Sequence, residues 1–435
     1  MNAAAGGAGE GPGIATPGAA PAAGCPVATF RALAERNGAP DARPDSGRPI
    51  WRCPESGVWV VESYALIVDA VNRPAEFSNK YSLSLLDADF PAAEVERIYR
   101  EGGCLWARTL SANDPPDHRR FRALVERIFS GAKVAAIEPF VRETSRDLLA
   151  AWPDGADFEA MAGYAVPLPT RVIARELGVA PEDGPRFNRW SDAAVGTLSL
   201  NSTRDSHLEA ARAGVEFQAY FGARLDDPRL RPTGSLIDLV ARAATDADPE
   251  QGLPITRAEQ LGLLHTLMIA GHETTAATLG EMLRRLATAP ATWDALRASE
   301  AVQKRYVEEM LRLAAPAQGL WRVTTREVEL GGQVLPKRSV VSLRFAAANR
   351  EAPRFPDPEA VRLDRPAVPA HLTFGAGIHH CIGAGLARRE LLVALQDLLA
   401  SFHALELAVP ESALRYTRSV TTRGLVALPL RARRA

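Results

Sequence analysis

One segment near the end of the chain combines a cysteine with residues that could hold it against a ligand. It reads Phe374-Gly-Ala-Gly-Ile-His-His-Cys381-Ile-Gly383. Glycine tolerates positive φ and lets a backbone approach a flat ligand closely, so the three glycines of this segment predict a tight loop. A helical apolar pattern over residues 386–399 follows and places Cys381 near a helix N-terminus. Free N–H groups and the positive dipole end favour a thiolate there at neutral pH, and a thiolate can bind iron.

A second group of reactive side chains lies in the middle of a long predicted helix. Thr256-Arg-Ala-Glu259 has the form of a capping box and Pro290 marks a stop. These limits give about 33 residues, or roughly 50 Å. In the middle lies Ala270-Gly-His-Glu-Thr-Thr275. Because a threonine hydroxyl can bond the carbonyl four residues earlier, this segment with its glycine predicts a local distortion of the helix.

Each of these features also has an alternative interpretation. Cys381 could be a buried and inert thiol, the commonest fate of a free cysteine. Glu273 could be a solvated surface charge, and Thr274 a hydroxyl satisfied in the core. A zinc site could use side chains of the same region, namely His371, His379, His380 and Cys381. The paired spacing typical of structural zinc is missing, because no second cysteine lies nearby.

Helical periodicity dominates the rest of the sequence and predicts a mainly α protein with small β-sheets. Helices are predicted at residues 119–129, 134–152, 168–177, 182–195, 206–225 and 235–244. Strands are predicted at residues 51–62, 323–330 and 340–345. Residues 226–234 and 246–253 are polar connections that contain proline.

The composition is that of an ordinary globular protein, with 435 residues and a net charge of −1. Such a charge gives no reason to expect nucleic acid or an anionic membrane as a partner. The four cysteines lack paired spacing, which suits a reducing cytoplasm. Residues 1–26, rich in Ala, Gly and Pro, predict a disordered tail ahead of a single domain over 27–435. With no signal peptide or membrane span evident, we expect a cytoplasmic monomer that binds neither nucleic acid nor membrane.

Four segments resemble the haem-thiolate monooxygenases of the cytochrome P-450 family, in that family's order. The cysteine loop matches F-G-x-G-x-H-x-C-x-G, and the long helix matches A-G-x-[D/E]-T-[T/S]. Glu309-Met-Leu-Arg312 matches the family's E-x-x-R, and His118 with Arg122 matches its H-x-x-x-R after a Pro-Pro turn. The matches cover the chain from about residue 110 to its end and are together far more specific than any single motif.

The resemblance implies the cytochrome P-450 fold, with haem b (iron protoporphyrin IX) between the long distal helix and the proximal helix after the cysteine loop. Cys381 would be the iron ligand, and a thiolate there favours O–O cleavage. Thr274 would hydrogen-bond the activated oxygen, and Glu273 would help to relay protons. The other haem-binding residues implied are His118, Arg122, Ala270, Gly271, Arg322, Phe374, Gly375, His379 and Gly383.

Other residues take supporting roles by resemblance. Glu309 and Arg312, with an arginine like Arg365, would support the fold beneath the haem without taking part in the chemistry. His272 falls on another helical face and is expected to be structural or to face solvent. A basic patch suited to an acidic ferredoxin would consist of Arg119, Arg120, Arg127, Arg388 and Arg389.

The implied activity is insertion of one oxygen atom from O2 into a small hydrophobic organic substrate, by hydroxylation, epoxidation or O-dealkylation. Electrons would come from an external ferredoxin with its ferredoxin reductase, because no flavin or iron–sulfur segment is evident in the chain. The largely apolar substrate pocket would be lined by parts of 77–106, by Ala270, and by 318–320 and 420–421. Two alternatives stay open, a peroxide-driven or non-oxidative haem-thiolate enzyme and a non-enzymatic haem protein. The Glu273-Thr274 pair disfavours both, and the fold does not identify the substrate.

Overall fold

The computed structural model describes residues 46–54, 56–81, 90–197, 202–244, 254–365, 371–417, 419 and 421–435. The tail predicted at 1–26 and the residues Cys25 and Val420 lie outside the described residues. Within them helices predominate, as the periodicity predicts. The helices are α1 (Tyr64–Val71), α2 (Ala92–Gly102), α3 (Asp117–Glu126), α4 (Gly131–Ala150), α5 (Pro167–Glu176), α6 (Gly184–Gly196), α7 (Arg204–Asp226), α8 (Leu236–Arg242), α9 (Arg257–Thr288), α10 (Thr292–Ala298), α11 (Glu300–Ala314), α12 (Phe345–Ala348) and α13 (Ala384–Ser401).

The strands are short and form three sheets. They are β1 (Ile50–Arg52), β2 (Trp59–Val61), β3 (Phe77–Ser78), β4 (Asp157–Glu159), β5 (Leu320–Thr324), β6 (Val328–Leu330), β7 (Gln333–Leu335), β8 (Val340–Leu343), β9 (Phe402–Leu407) and β10 (Pro429–Arg434). The orders are β1-β2-β8-β5-β3, β4-β10-β9 and β6-β7. The three sheets are therefore minor elements beside the helices.

Two of the three predicted strands are in fact pairs of strands. The segment 51–62 is a hairpin in which Trp51 of β1 pairs with Val60 of β2, and Gly57 in its turn has a φ of 70°. The segment 323–330 divides between β5 and β6, which belong to different sheets. A turn after Thr324 separates them. The sequence pattern did not predict this turn, because β-branched residues, which favour strands, lie on both sides of it.

Helix α9 begins and ends where its sequence predicts. Thr256 and Glu259 form the reciprocal capping box, and the helix runs for 32 residues without interruption. The Thr274 hydroxyl donates to the Ala270 carbonyl oxygen at 3.3 Å, the bond on which the predicted local distortion depends. Gly271 also has a packing role, since a Cβ there would lie 2.7 Å from Cγ1 of Ile173 on α5.

The core places the middle of α9 between two apolar clusters. The larger cluster joins the second half of α9 to α4, α11 and α13. The other joins its first half to α3, α5, α6, α7 and α8. Residues 270–275 therefore lie on a helix that is held firmly at both ends by buried apolar contacts.

Candidate active site

The cysteine loop is closed by backbone geometry that the glycines permit. The Cys381 N–H donates to the Phe374 carbonyl at 2.8 Å. Gly375 and Gly377 have φ values of 65° and 67°, in the left-handed region that favours glycine. A Cβ at Gly377 would also lie 2.8 Å from the Val71 carbonyl oxygen. These two glycines therefore fix the path of the loop.

The backbone conformation does not require a glycine at the third position of the loop. Gly383 has a φ of −82°, which any residue adopts, so the predicted need for positive φ is wrong there. A Cβ at this position would lie 3.9 Å from the Cys381 sulfur, an ordinary contact distance. Gly383 still lines the cavity into which the sulfur opens.

The Cys381 thiol lies just before α13, as predicted. Burial raises its pKa, and the backbone N–H groups of Gly383 and Ala384, together with Arg122 and Arg388, partly offset this rise. A bound iron cation would further favour the thiolate.

Beneath the loop lies the buried ion pair that the E-x-x-R spacing predicts. Nε of Arg312 donates to Oε1 of Glu309 at 2.9 Å, and Nε of Arg365 donates to Oε2 at 3.1 Å. The Leu372 N–H donates to Oδ1 of Asn349 at 2.6 Å, which ties the start of the cysteine loop to the same region. This arrangement is consistent with a purely supporting role.

A cavity of about 360 Å³, the main cavity, separates the cysteine loop from the middle of α9. Cys381 lines it from the loop, and Thr274 lines it from the helix. Its volume lies in the range of small-molecule sites. All the predicted haem-binding residues line it, namely His118, Arg122, Ala270, Gly271, Arg322, Phe374, Gly375, His379 and Gly383.

A cluster of cationic and ionisable side chains lies along the main cavity. The rings of His118 and His379 are 4.3 Å apart. Burial, followed by the influence of His118, Arg322 and Arg122, lowers the pKa of His379 to about 3. Nδ1 of His118 and Nε2 of His379 are buried without a hydrogen-bond partner. Such orphaned nitrogens suit a ligand that brings hydrogen-bonding groups of its own.

The two predicted arginines differ in their surroundings. Arg322 is 3% exposed, and burial lowers its pKa to about 10. Its guanidinium donates to the Trp321 carbonyl at 2.7 Å, and no carboxylate of the described ranges pairs with it. Arg122 instead donates to Glu126 at 2.7 Å and to the His380 carbonyl at 2.5 Å. A buried cation without a counter-ion, beside two orphaned imidazoles, fits the carboxylates of haem.

Glu273 does not line the main cavity. It faces a neighbouring cavity of about 150 Å³, the acid cavity, which Thr274 also lines. Burial raises the pKa of Glu273, and a hydrogen bond with Thr422 partly offsets the rise. Nδ1 of the buried His272 lies 3.0 Å from the Ser191 hydroxyl, which agrees with a structural role. No spacing signal in the sequence pointed to Thr422.

Several residues that were predicted to line the substrate pocket lie away from the main cavity. Ala270 and Leu320 line the main cavity, with Asn79 from the segment 77–106. Trp106 instead stacks on His265, with ring centroids 4.3 Å apart. Gln318, Gly319 and Thr421 do not line the cavity, and among the described residues of 77–106 only Asn79 and Tyr81 do.

Most of the predicted basic patch is used in internal ion pairs. Arg120 pairs with Glu259, Arg388 pairs with Glu308 at 2.6 Å, and Arg389 pairs with Glu138 at 2.8 Å. Arg119 and Arg127 are exposed on the surface near α3. The patch therefore carries less free positive charge than the sequence indicates.

Nothing in the described ranges supports the zinc alternative. They contain no group of three His, Cys, Asp or Glu side chains that could hold a metal ion. His371 contacts Glu308 at 3.3 Å instead. Cys53, Cys104 and Cys381 are free thiols. In the same part of the chain, no helix has the length and apolarity needed to cross a membrane.

Comparison with known proteins agrees with this geometry. The family model described as cytochrome P-450 matches residues 223–416. The cytochrome P-450 monooxygenase PikC of Streptomyces venezuelae is 34% identical over 388 residues, which cover 88% of this chain and 87% of PikC. The erythromycin C-12 hydroxylase of Saccharopolyspora erythraea is 31% identical, with 86% and 89% covered.

Solved structures show the same architecture. Cytochrome P-450 CYP109Q5 from Chondromyces apiculatus superposes with a TM-score of 0.76 at 33% identity, over 89% of this chain and 93% of that one. Members of this family bind haem b, and the residues around the main cavity fit that group. The chain therefore belongs to the cytochrome P-450 family and is a haem-dependent monooxygenase of the bacterial type.

Proposed function

We propose that this monooxygenase acts on a hydrophobic, macrolide-like organic molecule, with Cys381 as its iron ligand and Thr274 and Glu273 as its catalytic residues. The observation that carries the proposal is that Cys381 and Thr274 line the main cavity from opposite elements, the loop and α9. A similar mycinamicin IV hydroxylase/epoxidase from Micromonospora griseorubida, 33% identical over 377 residues, supports the substrate class.

The reaction combines one substrate C–H bond, O2, two electrons and two protons into a hydroxylated product and water. Bound haem supplies the iron at which dioxygen is activated, and the thiolate ligand favours O–O cleavage. The protein has to deliver both protons and keep other water away. Thr274 is suited to this because it carries a hydroxyl and lines both cavities. Glu273 is suited because burial raises its pKa, which makes a carboxyl a better proton donor near neutral pH.

Replacement of Thr274 with alanine separates this function from the two alternatives. We expect the variant to consume O2 and electrons while forming little organic product, because proton delivery is impaired. If the protein were a peroxide-driven enzyme, Thr274→Ala would keep its product yield with hydrogen peroxide. If it were a non-enzymatic haem protein, neither the unaltered protein nor the variant would form product. Product formation from O2 at the unaltered yield would refute the role of Thr274.

The substrate class can be tested by ligand binding. Apolar side chains dominate the distal wall, among them Leu110, Ile173, Leu267 and Leu320, with Asn79 and Thr266 as polar positions. A panel of macrolides, steroids, terpenoids and aromatic compounds, scored by the spin-state shift of the haem, ranks the classes. The proposal expects macrolides to give the largest shift, and a panel in which only small aromatic compounds bind would contradict it.

We propose an external ferredoxin, supplied by its reductase, as the electron donor. Arg119 is exposed on α3 and has no ion pair among the described side chains, so it is the side chain to reverse. Arg119→Glu should slow reduction by ferredoxin at low salt, and the difference should fade at high salt. Arg212→Glu on α7 is the matched control, because Arg212 is also exposed. If both substitutions changed the rate of reduction equally, ferredoxin would not dock on the face that carries Arg119.

We further propose that the protein is a cytoplasmic monomer. The free thiols of Cys53, Cys104 and Cys381 support a reducing compartment. Size-exclusion chromatography with light scattering tests the oligomeric state. A mass of twice 46.8 kDa at micromolar concentration would contradict the monomer.

A further inference from the structure

The chain turns sharply after α11, and this turn carries part of the wall of both cavities. The helix ends at Ala314, and Ala315 follows with a φ of 37° and a ψ of 60°. This left-handed conformation is disfavoured for a residue that has a Cβ. The next residue, Pro316, lines the main cavity and the acid cavity, and Ala317 lines the main cavity. The wall therefore depends on a turn that its own residues do not favour.

The side chain of Gln318 binds this turn. Gln318 is 3% exposed, and its amide Nε2 donates to the Ala315 carbonyl at 2.7 Å. Carbonyl groups at the end of a helix lack a partner within the helix, so another donor has to satisfy them. Because the direction of the Ala315 carbonyl follows from its backbone angles, the bond from Gln318 stabilises the left-handed conformation.

The backbone of the same residue joins the turn to two other segments. The Gln318 N–H donates to the Thr421 carbonyl at 2.7 Å, and the Gln318 carbonyl accepts from the Ala346 N–H at 3.2 Å. The Arg423 N–H donates to the Pro316 carbonyl at 2.9 Å. Since Arg423 also lines the acid cavity, a shift of the turn would move the walls of both cavities.

Gln318 itself lines neither cavity, although its position in the sequence led us to expect it in the substrate wall. Its amide is directed at the turn instead. Leu320, two residues further along, is 40% exposed and lines the main cavity. Gly319 between them has no room for a side chain, because a Cβ there would overlap the Leu343 carbonyl oxygen. Gln318 is thus held between the turn and an apolar side chain of the main cavity.

We propose that Gln318 is a positioning residue of the substrate site, whose amide keeps the turn at Ala315 in its left-handed conformation and thereby sets the shape of the main cavity. This inference rests on the proposed function only in placing haem, ligated by Cys381, in the main cavity. Gln318 would contact neither haem nor substrate. The competing explanation is that Gln318 is an ordinary buried amide, whose loss weakens the fold as a whole.

The test compares Gln318→Met, which keeps the length of the side chain and removes the donor, with the double variant Gln318→Met/Ala315→Gly. Glycine adopts left-handed backbone angles without strain, so it should keep the turn in place without the amide. Gln260→Met is the matched control, because Gln260 is also buried and its Nε2 donates to the Val240 carbonyl at 2.8 Å. Gln260 lines neither cavity.

The probes are imidazole and 4-phenylimidazole, which both bind haem iron and differ in size. Their dissociation constants are measured from the shift of the Soret band in the ferric haem-bound protein, so the measurement needs neither substrate nor electron donor. Thermal unfolding of each variant is recorded beside them. The ratio of the two dissociation constants reports the fit of the larger probe, and the melt reports the stability of the fold.

We expect Gln318→Met to change this ratio about fivefold, the factor that corresponds to the net contribution of one hydrogen bond. The added Ala315→Gly should restore most of the ratio, and Gln260→Met should keep the unaltered ratio even where its melt is lower. An unchanged ratio in Gln318→Met would overturn the inference. Equal changes in Gln318→Met and Gln260→Met would also overturn it, because they would indicate a general loss of stability. A ratio that Ala315→Gly does not restore would refute the role of the turn.

Binding of the two probes does not require proton delivery by Thr274 or Glu273, so this inference and the proposed function can fail separately. If the ratio is unchanged in Gln318→Met while Thr274→Ala loses product, the inference is wrong and the proposed function stands. If the ratio changes as expected while Thr274→Ala forms product normally, the inference stands and the proposed role of Thr274 is wrong. If neither probe shifts the Soret band of the unaltered protein, haem does not lie in the main cavity and both are wrong.

Discussion

Replacing Arg322 with methionine tests whether the cationic cluster exists to hold an anionic ligand. Arg322 is 3% exposed, and its pKa falls from 12.5 to about 10 because burial disfavours the charged form. That fall corresponds to about 3 kcal/mol. Since the folded pKa lies below the unfolded one, the cost is complete below about pH 10 and fades as the pH rises toward 12.5. In haem-free protein, methionine should therefore increase the free energy of unfolding by up to about 3 kcal/mol.

The haem-bound protein should respond in the opposite direction. There an anionic propionate would offset the buried charge, so loss of the guanidinium would leave that carboxylate without its partner. Removing one member of a buried charged pair costs about 2–5 kcal/mol, which predicts haem binding weaker by roughly 10²-fold. One substitution should thus stabilise the haem-free protein and destabilise the haem-bound one.

Two measurements decide the matter. Urea unfolding shows whether the substitution raises the free energy of unfolding of the haem-free protein. The rate of haem transfer to a scavenging apoprotein shows whether it weakens haem binding. Arg326→Met is the matched control, because Arg326 is 69% exposed and paired with Glu76. A surface pair of this kind should change either quantity by less than about 1 kcal/mol. If Arg322→Met destabilised both forms equally, Arg322 would be a structural residue and the reasoning would be wrong.

Three further predictions concern stability. Glu309→Gln leaves two buried guanidinium groups without their carboxylate, so the free energy of unfolding should fall by about 3–5 kcal/mol; an unaltered thermal melt would contradict this. Gly271→Ala places a Cβ 2.7 Å from Ile173, which should cost about 1–3 kcal/mol by overpacking, and Ile173→Ala in the same chain should recover part of that loss; strictly additive effects would argue against the contact. Burial raises the pKa of Glu281, but Arg284 and Arg285 outweigh burial and lower the pKa from 4.5 to about 2. The ionised carboxylate therefore stabilises the folded protein above pH 4.5, and this stabilisation is lost as the pH falls toward 2. Glu281→Gln should therefore destabilise the protein at pH 7 far more than at pH 3, as chemical denaturation at the two pH values can show.

The parts of the molecule that sequence could predict are those fixed by local chemistry. The capping box at Thr256 and Glu259 set the start of α9, and the glycines at 375 and 377 took the φ values that the loop requires. The positions around Cys381 and Thr274 came from the resemblance, and both line the main cavity. Local signals of this kind depend on a few neighbouring residues, so one sequence contains them.

The parts that sequence missed depend on contacts between distant segments. Gly271 is explained by Ile173 on another helix, and Thr422 lines the same cavity as Glu273 because residues 422–424 pack against α9. Arg322 had no motif of its own, yet its guanidinium is buried at the main cavity with no ion pair among the described side chains. Likewise, carboxylates of distant segments form ion pairs with three of the five arginines of the predicted basic patch. None of these relationships leaves a periodic or spaced pattern in the chain.

The most direct measurement of the central claim is the difference spectrum of the reduced protein with and without carbon monoxide, recorded for the unaltered chain and for Cys381→Ser. The unaltered protein should give the strongly red-shifted Soret band of a haem ligated by a thiolate, and the serine variant should lose it. An identical spectrum from the two proteins, or a purified protein without haem absorption, would contradict Cys381 as the iron ligand.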